Sequence, residues 1–597
     1  MDKIKKYLAA ITAEKALSFL LFLVVGIIPL VIHTYLRKRD VHSLDFKAYP
    51  IPRGEFDFFH YYKGILLVII TFFILAVLLN KGKRTKYKLH VFLLILSFFI
   101  LLSSIFSEFR AYTLIGGADS YQGVLVWLSY MIICFGASQL TSLKYVKIVV
   151  YGVIFSAVFL SVIGVLEYFS IDFHKNYLAF FLETNGNLNY INEVSINSIS
   201  YNTNYYAMLL YVSLIIISVM YLSIVNRKIK TVLLLSYLIV FFNLTGTRTL
   251  AGDIIFTLMS LLLLIIFWKK NKNVIKDYLI LLGSSFIIFL FVYNSVGAAN
   301  SVEDDYARFK MSIANSSLEE IKVKRDVLEI KPFKLNPLFV KVLDDKNIKF
   351  SNTPDFNGQL QIMKKGDTIM MKDEGFEHYK LLFKKRKKYN VMILRYNNEF
   401  NYEVLIMDKT FKTINPYTKK IVDIITPEKT SFLNKQNGII SGRGIVWSLG
   451  IPLLKDRFFL GSGADTFPLT FPNHDYVSKL KVYGKKGQVP YIAASHSLYL
   501  QIGVEFGVIA MFTFIIMIIW YLISSFKLLL KVPLNNWIHY LSLGCFLAVL
   551  GFSIMGVISS GMLSAIPTFW VLLGLGLAVN GYIKKNELKV GPEDLKQ

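Results

Sequence analysis

About a dozen uninterrupted apolar blocks, many near the ~20 residues that cross a hydrocarbon core, constrain this chain more than any other feature. Blocks such as 65–80, 89–107 and 207–225 are too long for the strands of a soluble protein, and they lack the amphipathic rhythm of a surface helix. Length alone suggests several soluble domains. Against that, 54% of the chain is hydrophobic and only 18% is charged, too little polar surface to clothe soluble cores. Hydropathy places spans at 16–35, 65–80, 89–107, 124–139, 148–169, 207–225, 231–243, 250–268, 278–296, 508–523, 539–558 and 565–583. The expected fold is an α-helical polytopic membrane protein of about 12 transmembrane helices.

The net charge of +26 is then a topology signal before it is a hint of nucleic acid, because Lys and Arg are retained on the cytoplasmic side. With the N-terminus inside, the basic segments 81–88, 226–230 and 269–272 fall in the cytoplasm. Inside segments then hold about 24 Lys and Arg against about 9 in the short outside loops, most of these between residues 36 and 64. An even number of spans then leaves both termini in the cytoplasm. Lys3, Lys5 and Lys6 precede an apolar stretch without a small-residue cleavage pattern, which reads as an uncleaved first helix. Cys134 and Cys545 both fall inside spans, so no disulfide framework is readable.

Residues 297–498 are different material: polar, with a net charge of roughly +11, and expected as an extracytoplasmic domain between spans 1–296 and 499–597. Between about 318 and 426, short runs at 338–343, 368–371, 389–396 and 402–407 alternate with polar turns and predict a β-rich insert. Lys384 to Lys388 reads as a solvated hairpin tip. From about 436 to 498 the pattern returns to helix and loop.

That last region carries the chemistry. It reads Ser441-Gly-Arg443-Gly-Ile-Val-Trp447, then Leu460-Gly-Ser-Gly-Ala-Asp-Thr-Phe467, then His496-Ser-Leu-Tyr-Leu-Gln-Ile-Gly-Val-Glu505-Phe-Gly507. Elsewhere, Thr245-Gly-Thr-Arg248-Thr, Ile115-Gly-Gly-Ala-Asp-Ser-Tyr-Gln-Gly123 and Tyr201-Asn-Thr-Asn204 stand at span boundaries of the same side. Arginine suits a phosphate-binding site because its charge is permanent and its planar fork matches phosphate oxygens. A histidine near neutral pKa suits removal of a proton from an acceptor hydroxyl.

The order of these motifs resembles the O-antigen ligase and polymerase superfamily of bacterial membrane glycosyltransferases, over roughly residues 90–580. The resemblance implies a GT-C-like helical fold and metal-independent, inverting transfer of a polyprenyl-pyrophosphate-linked glycan, with no cofactor. It implies Arg248 and Arg443 on the donor pyrophosphate and His496 as the base; Lys455, about three turns beyond Arg443 if that segment is helical, is a weaker donor-side candidate. Asn204, Tyr201 and Trp447 are possible substrate contacts. The acceptor would be a glycan, lipid, wall polymer or protein; nucleic acid is not expected. Where the family commonly has Asn after the histidine, this chain has Ser497.

Each residue also has a plainer reading. Arg443 could be a loop charge and His496 a surface histidine. Arg248 could snorkel at the interface or pair with Asp253. Trp447 and Phe467 could simply pack, and Gly461-Ser-Gly463 lacks the βαβ setting of a dinucleotide site. Rival functions are a transporter or flippase of lipid-linked sugars, an oligosaccharide transferase to protein, and a receptor for wall polymer. A transporter would favour charged groups at the bilayer midplane, whereas here the polar motifs cluster in one loop region.

Overall fold

The computed structural model describes residues 13–33, 35–38, 54–81, 84–117, 120–169, 171, 195–200, 202–294, 318–332, 336–344, 347–386, 389–396, 400–414, 421–424, 428–430, 439–473 and 492–586. Among them ten helices are long and apolar enough to cross a membrane, and two shorter apolar helices accompany them. The first nine are α1 (Ala13–Leu30), α2 (Tyr61–Asn80), α3 (Leu89–Ile105), α4 (Val124–Ser138), α5 (Leu143–Tyr168), α6 (Thr203–Ser223), α7 (Arg227–Gly246), α8 (Leu250–Lys270) and α9 (Ile275–Asn294). After the β-rich insert come α10 (Ile439–Gly450) and α11 (Leu498–Phe506), which are not spans. The chain then returns through α12 (Val508–Lys531), α13 (Trp537–Ile558) and α14 (Ile566–Asn586). The chain is a multi-pass membrane protein.

Every expected span has a helix, and the differences lie at the ends. The seventh, expected over 231–243, runs from Arg227 to Gly246. Its first turn holds Arg227, Lys228 and Lys230, which lower the local hydropathy, yet Asn226 accepts from the amides of Lys228 and Ile229 and starts the helix there. Asn202 and Asn536 cap α6 and α13 in the same way. Such caps contribute ~1 kcal/mol each by satisfying amides that the first helical turn leaves open.

Burial sorts the helices into centre and periphery. α6 and α14 are almost wholly enclosed by protein, whereas α9 leaves most of its surface free. One continuous apolar core joins the helices, and α13 lies against α6 at its middle. Free apolar side chains such as Phe72, Leu94 and Phe286 ring the outside, as a lipid-facing surface requires.

Polar contacts mark two ends of the bundle. At one, Lys81 pairs with Glu14 at 3.2 Å and Lys230 pairs with Asp277. There Lys270 also donates to the terminal carbonyls of α12 at Leu529, Leu530 and Val532. We call this the lysine end. At the other, the motif loops gather.

The insert holds two antiparallel meanders. β3 (Leu318–Lys324), β4 (Val327–Pro332), β5 (Leu338–Val342) and β6 (Ile348–Ser351) form one sheet, with a separate hairpin of β1 (Tyr35–Lys38) and β2 (Gly54–Asp57) earlier in the chain. β7 (Ile362–Lys365), β8 (Thr368–Met371), β9 (Tyr379–Arg386), β10 (Tyr389–Tyr396), β11 (Phe400–Met407), β12 (Thr410–Ile414) and β13 (Ile421–Asp423) form the other, in chain order. Alternation sets the faces: Met392 and Leu394 of β10 join Leu328 and Val340 of the first sheet in a shared core, while Val391 and Ile393 form a smaller cluster with Leu405. The basic run at 384–388 is not simply a hairpin tip. Lys384, Lys385 and Arg386 extend β9, paired with Val391, Asn390 and Tyr389, because alternation carries the strand past the apolar residues. Residues 387 and 388 lie outside the described residues.

Candidate functional site

Helix α10 places two of the expected residues on adjacent turns. Ile445, Val446 and Leu449 pack into a small core with Phe467, Ile492 and Leu500, which fixes the rotation of the helix. Arg443 then reaches α13, where its Nε donates to the carbonyl of Ile558 at 2.7 Å. One turn on, Trp447 Nε1 donates to the carbonyl of Ser495 at 3.1 Å, so this indole braces the residue before His496. The helix stops at Gly450, and Pro452 opens a separate short turn at Leu453–Asp456. A single helix running from Arg443 to Lys455 therefore does not form. Lys455 is exposed on the second turn.

His496 sits in the corner that opens α11, in the left-handed region at φ 52°. Three contacts hold that corner. Ser495 Oγ donates to the Ser497 carbonyl at 2.6 Å, Ser497 Oγ accepts from the Leu500 amide, and the Leu498 amide donates to Ser559 at 3.0 Å. Burial pushes the imidazole pKa down to about 4, and neighbouring Arg443 adds to the effect. At neutral pH the ring is uncharged and holds a free lone pair. The structure thus brings Arg443 and His496 into one electrostatic unit.

The Leu460–Phe467 motif explains itself in backbone terms. Ser462 and Gly463 donate their amides to the carbonyls of Val504 and Glu505, at 2.9 and 2.8 Å, so this loop lies directly on α11. A Cβ on Gly461 would fall 2.1 Å from the carbonyl carbon of Glu505; only glycine permits the approach. At the other side of the crossing, Gly507 takes φ 101° to turn α11 into α12.

Asp465 and Glu505 stand within the motifs, yet no role for them is legible in the sequence. Asp465 is buried and accepts from the amides of Gly117 at 2.8 Å and Gln122 at 3.3 Å, and from Ser120 Oγ. It therefore gathers the glycine loop between α3 and α4. Gln122 continues to the carbonyl of Gly561. Glu505 accepts from Gln501 Nε2 at 2.7 Å, and Gln501 Oε1 accepts from the Ser495 amide at 3.2 Å. Burial, with the nearby Asp465 charge, raises the Glu505 pKa well above the usual carboxylate range. Glu505 and Asp465 thus link the glycine loop to the histidine corner. The Asp465 and Gln122 links join positions hundreds of residues apart, and no local pattern could have announced them.

Arg248 occupies the corner between α7 and α8, also left-handed at φ 52°. The Ile196 amide donates to Gly246 at 2.9 Å, and Tyr206 of α6 donates to Asn243 of α7 at 3.1 Å, fixing this corner to the start of α6. The suggested pair with Asp253 is not formed: Asp253 lies a turn into α8 and accepts from Tyr293 of α9 at 3.2 Å. Arg248 Nη1 is buried, with no hydrogen-bond partner among the described residues. Asn204 stands in the first turn of α6, bonded to its cap Asn202 at 2.8 Å, at the same end of the bundle. Tyr201 lies outside the described residues.

Left-handed non-glycine residues distinguish this end. Tyr121, Ser198, Arg248, Asp465 and His496 all belong to its loops, and elsewhere among the described residues such residues occur only in the turns of the β-rich insert. Each costs ~1–3 kcal/mol in strain, which packing of the surrounding loops must offset, and such positions concentrate where side-chain placement matters.

At one end of this multi-pass bundle His496 thus lies beside Arg443, and a second corner of the same end carries Arg248, whose buried Nη1 has no hydrogen-bond partner among the described residues. Residues 402–515 match the O-antigen ligase family model, a segment running from β11 through α10, the glycine crossing and His496 into α12. The match supports the O-antigen ligase/polymerase superfamily, and with it a membrane glycan ligase or polymerase. Comparison with curated proteins and with solved structures returns no match.

Proposed function

We propose that this protein transfers a glycan from a polyprenyl-pyrophosphate donor to an acceptor hydroxyl at the outer face of a bacterial cytoplasmic membrane. The observation that carries the reading is the uncharged His496 held beside Arg443 within the family-matched segment. Arg248 and Arg443 bind the donor pyrophosphate, with Lys455 as a weaker donor-side candidate and Asn204 and Tyr201 as candidate substrate contacts. Trp447 acts mainly by bracing Ser495. His496 takes the acceptor proton as the acceptor oxygen bonds to the anomeric carbon from the face opposite the leaving pyrophosphate. The pyrophosphate departs with the electron pair of the broken bond, and inversion follows. No metal is required in this scheme.

A base of pKa about 4 is weak on its own. Donor binding relieves the smaller part of this, because a pyrophosphate against Arg443 offsets the positive field that adds to the effect of burial on His496. Accordingly, His496→Ala should abolish glycosidic bond formation from a purified lipid-linked oligosaccharide while the protein still purifies as a folded membrane protein. Undiminished transfer by that variant would remove the base assignment. Movement of the lipid across liposomes without bond formation would favour a flippase instead.

A further inference from the structure

The lysine end carries a groove that the transfer reaction does not use. α8 finishes with Trp268, Lys269 and Lys270, and the chain turns through Lys272–Val274 into α9. There an open groove of about 630 Å³ is lined by Trp268, Lys272, Ile275, Lys276, Leu279 and Ile280. Its chemistry is divided. Lys272 and Lys276 stand at the rim, and Lys272 Nζ lies 5.4 Å from the centre of the Trp268 ring. Leu279 and Ile280 follow Lys276 by three and four positions on α9, so they form an apolar floor on the same face. Both are about half exposed, as is Trp268.

Neighbouring charges leave the rim cationic. Asp277 is paired with Lys230 of α7. Lys270 is committed to the α12 carbonyls. Among the described residues no ion pair engages Lys272 or Lys276. The start of α9 adds its own partial positive charge. A tryptophan beside two lysines above an apolar wall matches the order of groups met on passing from acyl chains to headgroups.

We propose that this groove binds an anionic glycerophospholipid, its headgroup phosphate between Lys272 and Lys276 and its acyl chains along Leu279 and Ile280. Two lysines at a bilayer surface correspond to a preference of about tenfold or more for an anionic over a zwitterionic headgroup.

Phosphatidylglycerol and phosphatidylcholine with matched acyl chains, titrated into the purified full-length protein, test this by native mass spectrometry. Phosphatidylglycerol should be retained about tenfold more strongly. The double variant K272A/K276A should lose that preference, and K276E alone, which leaves the rim with no net charge, should lose it as well. A control, K584A/K585A, removes two exposed lysines from the same end on α14 and should leave the preference intact. Equal retention of both lipids by the wild type would overturn the proposal, as would an unchanged preference in K272A/K276A. An equal loss in the control would assign the effect to diffuse charge, and displacement by millimolar inorganic phosphate would remove the acyl-chain component; either result overturns the groove as a lipid site. Both double variants should melt like the wild type in phosphatidylcholine, since the side chains they remove are exposed.

Discussion

At the residue scale, the site depends on which groups carry charge. His496 has a folded pKa of about 4 against about 6.5 in an unfolded chain, so its neutral form is the one the fold favours. The corresponding stability is present above pH 6.5 and is lost as pH falls toward 4. Carbethoxylation by diethyl pyrocarbonate, which needs the neutral ring, reads this directly by peptide mass spectrometry. The His496 rate should hold from pH 8 down to about 5 and halve near 4. Arg443→Gln should move that midpoint upward by removing the adjacent charge. A second contrast concerns the buried acids. Burial favours the neutral form of Glu505, so Glu505→Gln should be nearly silent in thermal stability and transfer. Asp465→Asn replaces an acceptor of several hydrogen bonds by a group with one acceptor oxygen, at a cost of ~2 kcal/mol. Thermal melting in detergent should rank the two, with Asp465→Asn the less stable.

At the scale of elements, the sequence was most legible where a single period governs a whole segment. The runs 368–371 and 389–396 coincide with β8 and β10, and each apolar block corresponds to a helix. Legibility failed where polar residues belong to an element for tertiary reasons, as with the basic start of α7 and the lysines of β9. The motif loops were visible as glycine-rich, histidine-bearing stretches, and Arg443 and His496 prove to be neighbours. What joins them to the rest was invisible, because Asp465 with Gly117, and Arg443 with Ile558, are partners only in three dimensions. The two β sheets share a core of their own, built from residues such as Leu328, Val340, Met392 and Val404. Residues 318–424 expressed alone should therefore give a soluble product with a β-type circular dichroism spectrum and a cooperative melt. A non-cooperative, unfolded product would mean that the sheets need the helices.

At the scale of the whole molecule, the helices alternate between the lysine end and the motif end, and the proposed orientation puts the lysine end in the cytoplasm. Both native cysteines are buried within α4 and α13, so labelling can be directed by introduced ones. In whole cells, a membrane-impermeant maleimide should modify Asn357→Cys, in the β-rich insert, and spare Lys228→Cys, at the lysine end, until the cells are opened. The reverse pattern would invert the topology and remove the outer-face assignment with it.

The bond from Arg443 to Ile558 and that from Leu498 to Ser559 have a consequence for biogenesis. A chain emerging from the ribosome delivers every arginine, glycine and histidine of the motifs before α13 has entered the membrane. Until that helix is inserted, the carbonyls that hold Arg443 and the start of α11 do not exist in place. The proposed site is thus completed late in synthesis, and a stalled or truncated chain carries the full set of motif residues without the contacts that hold them.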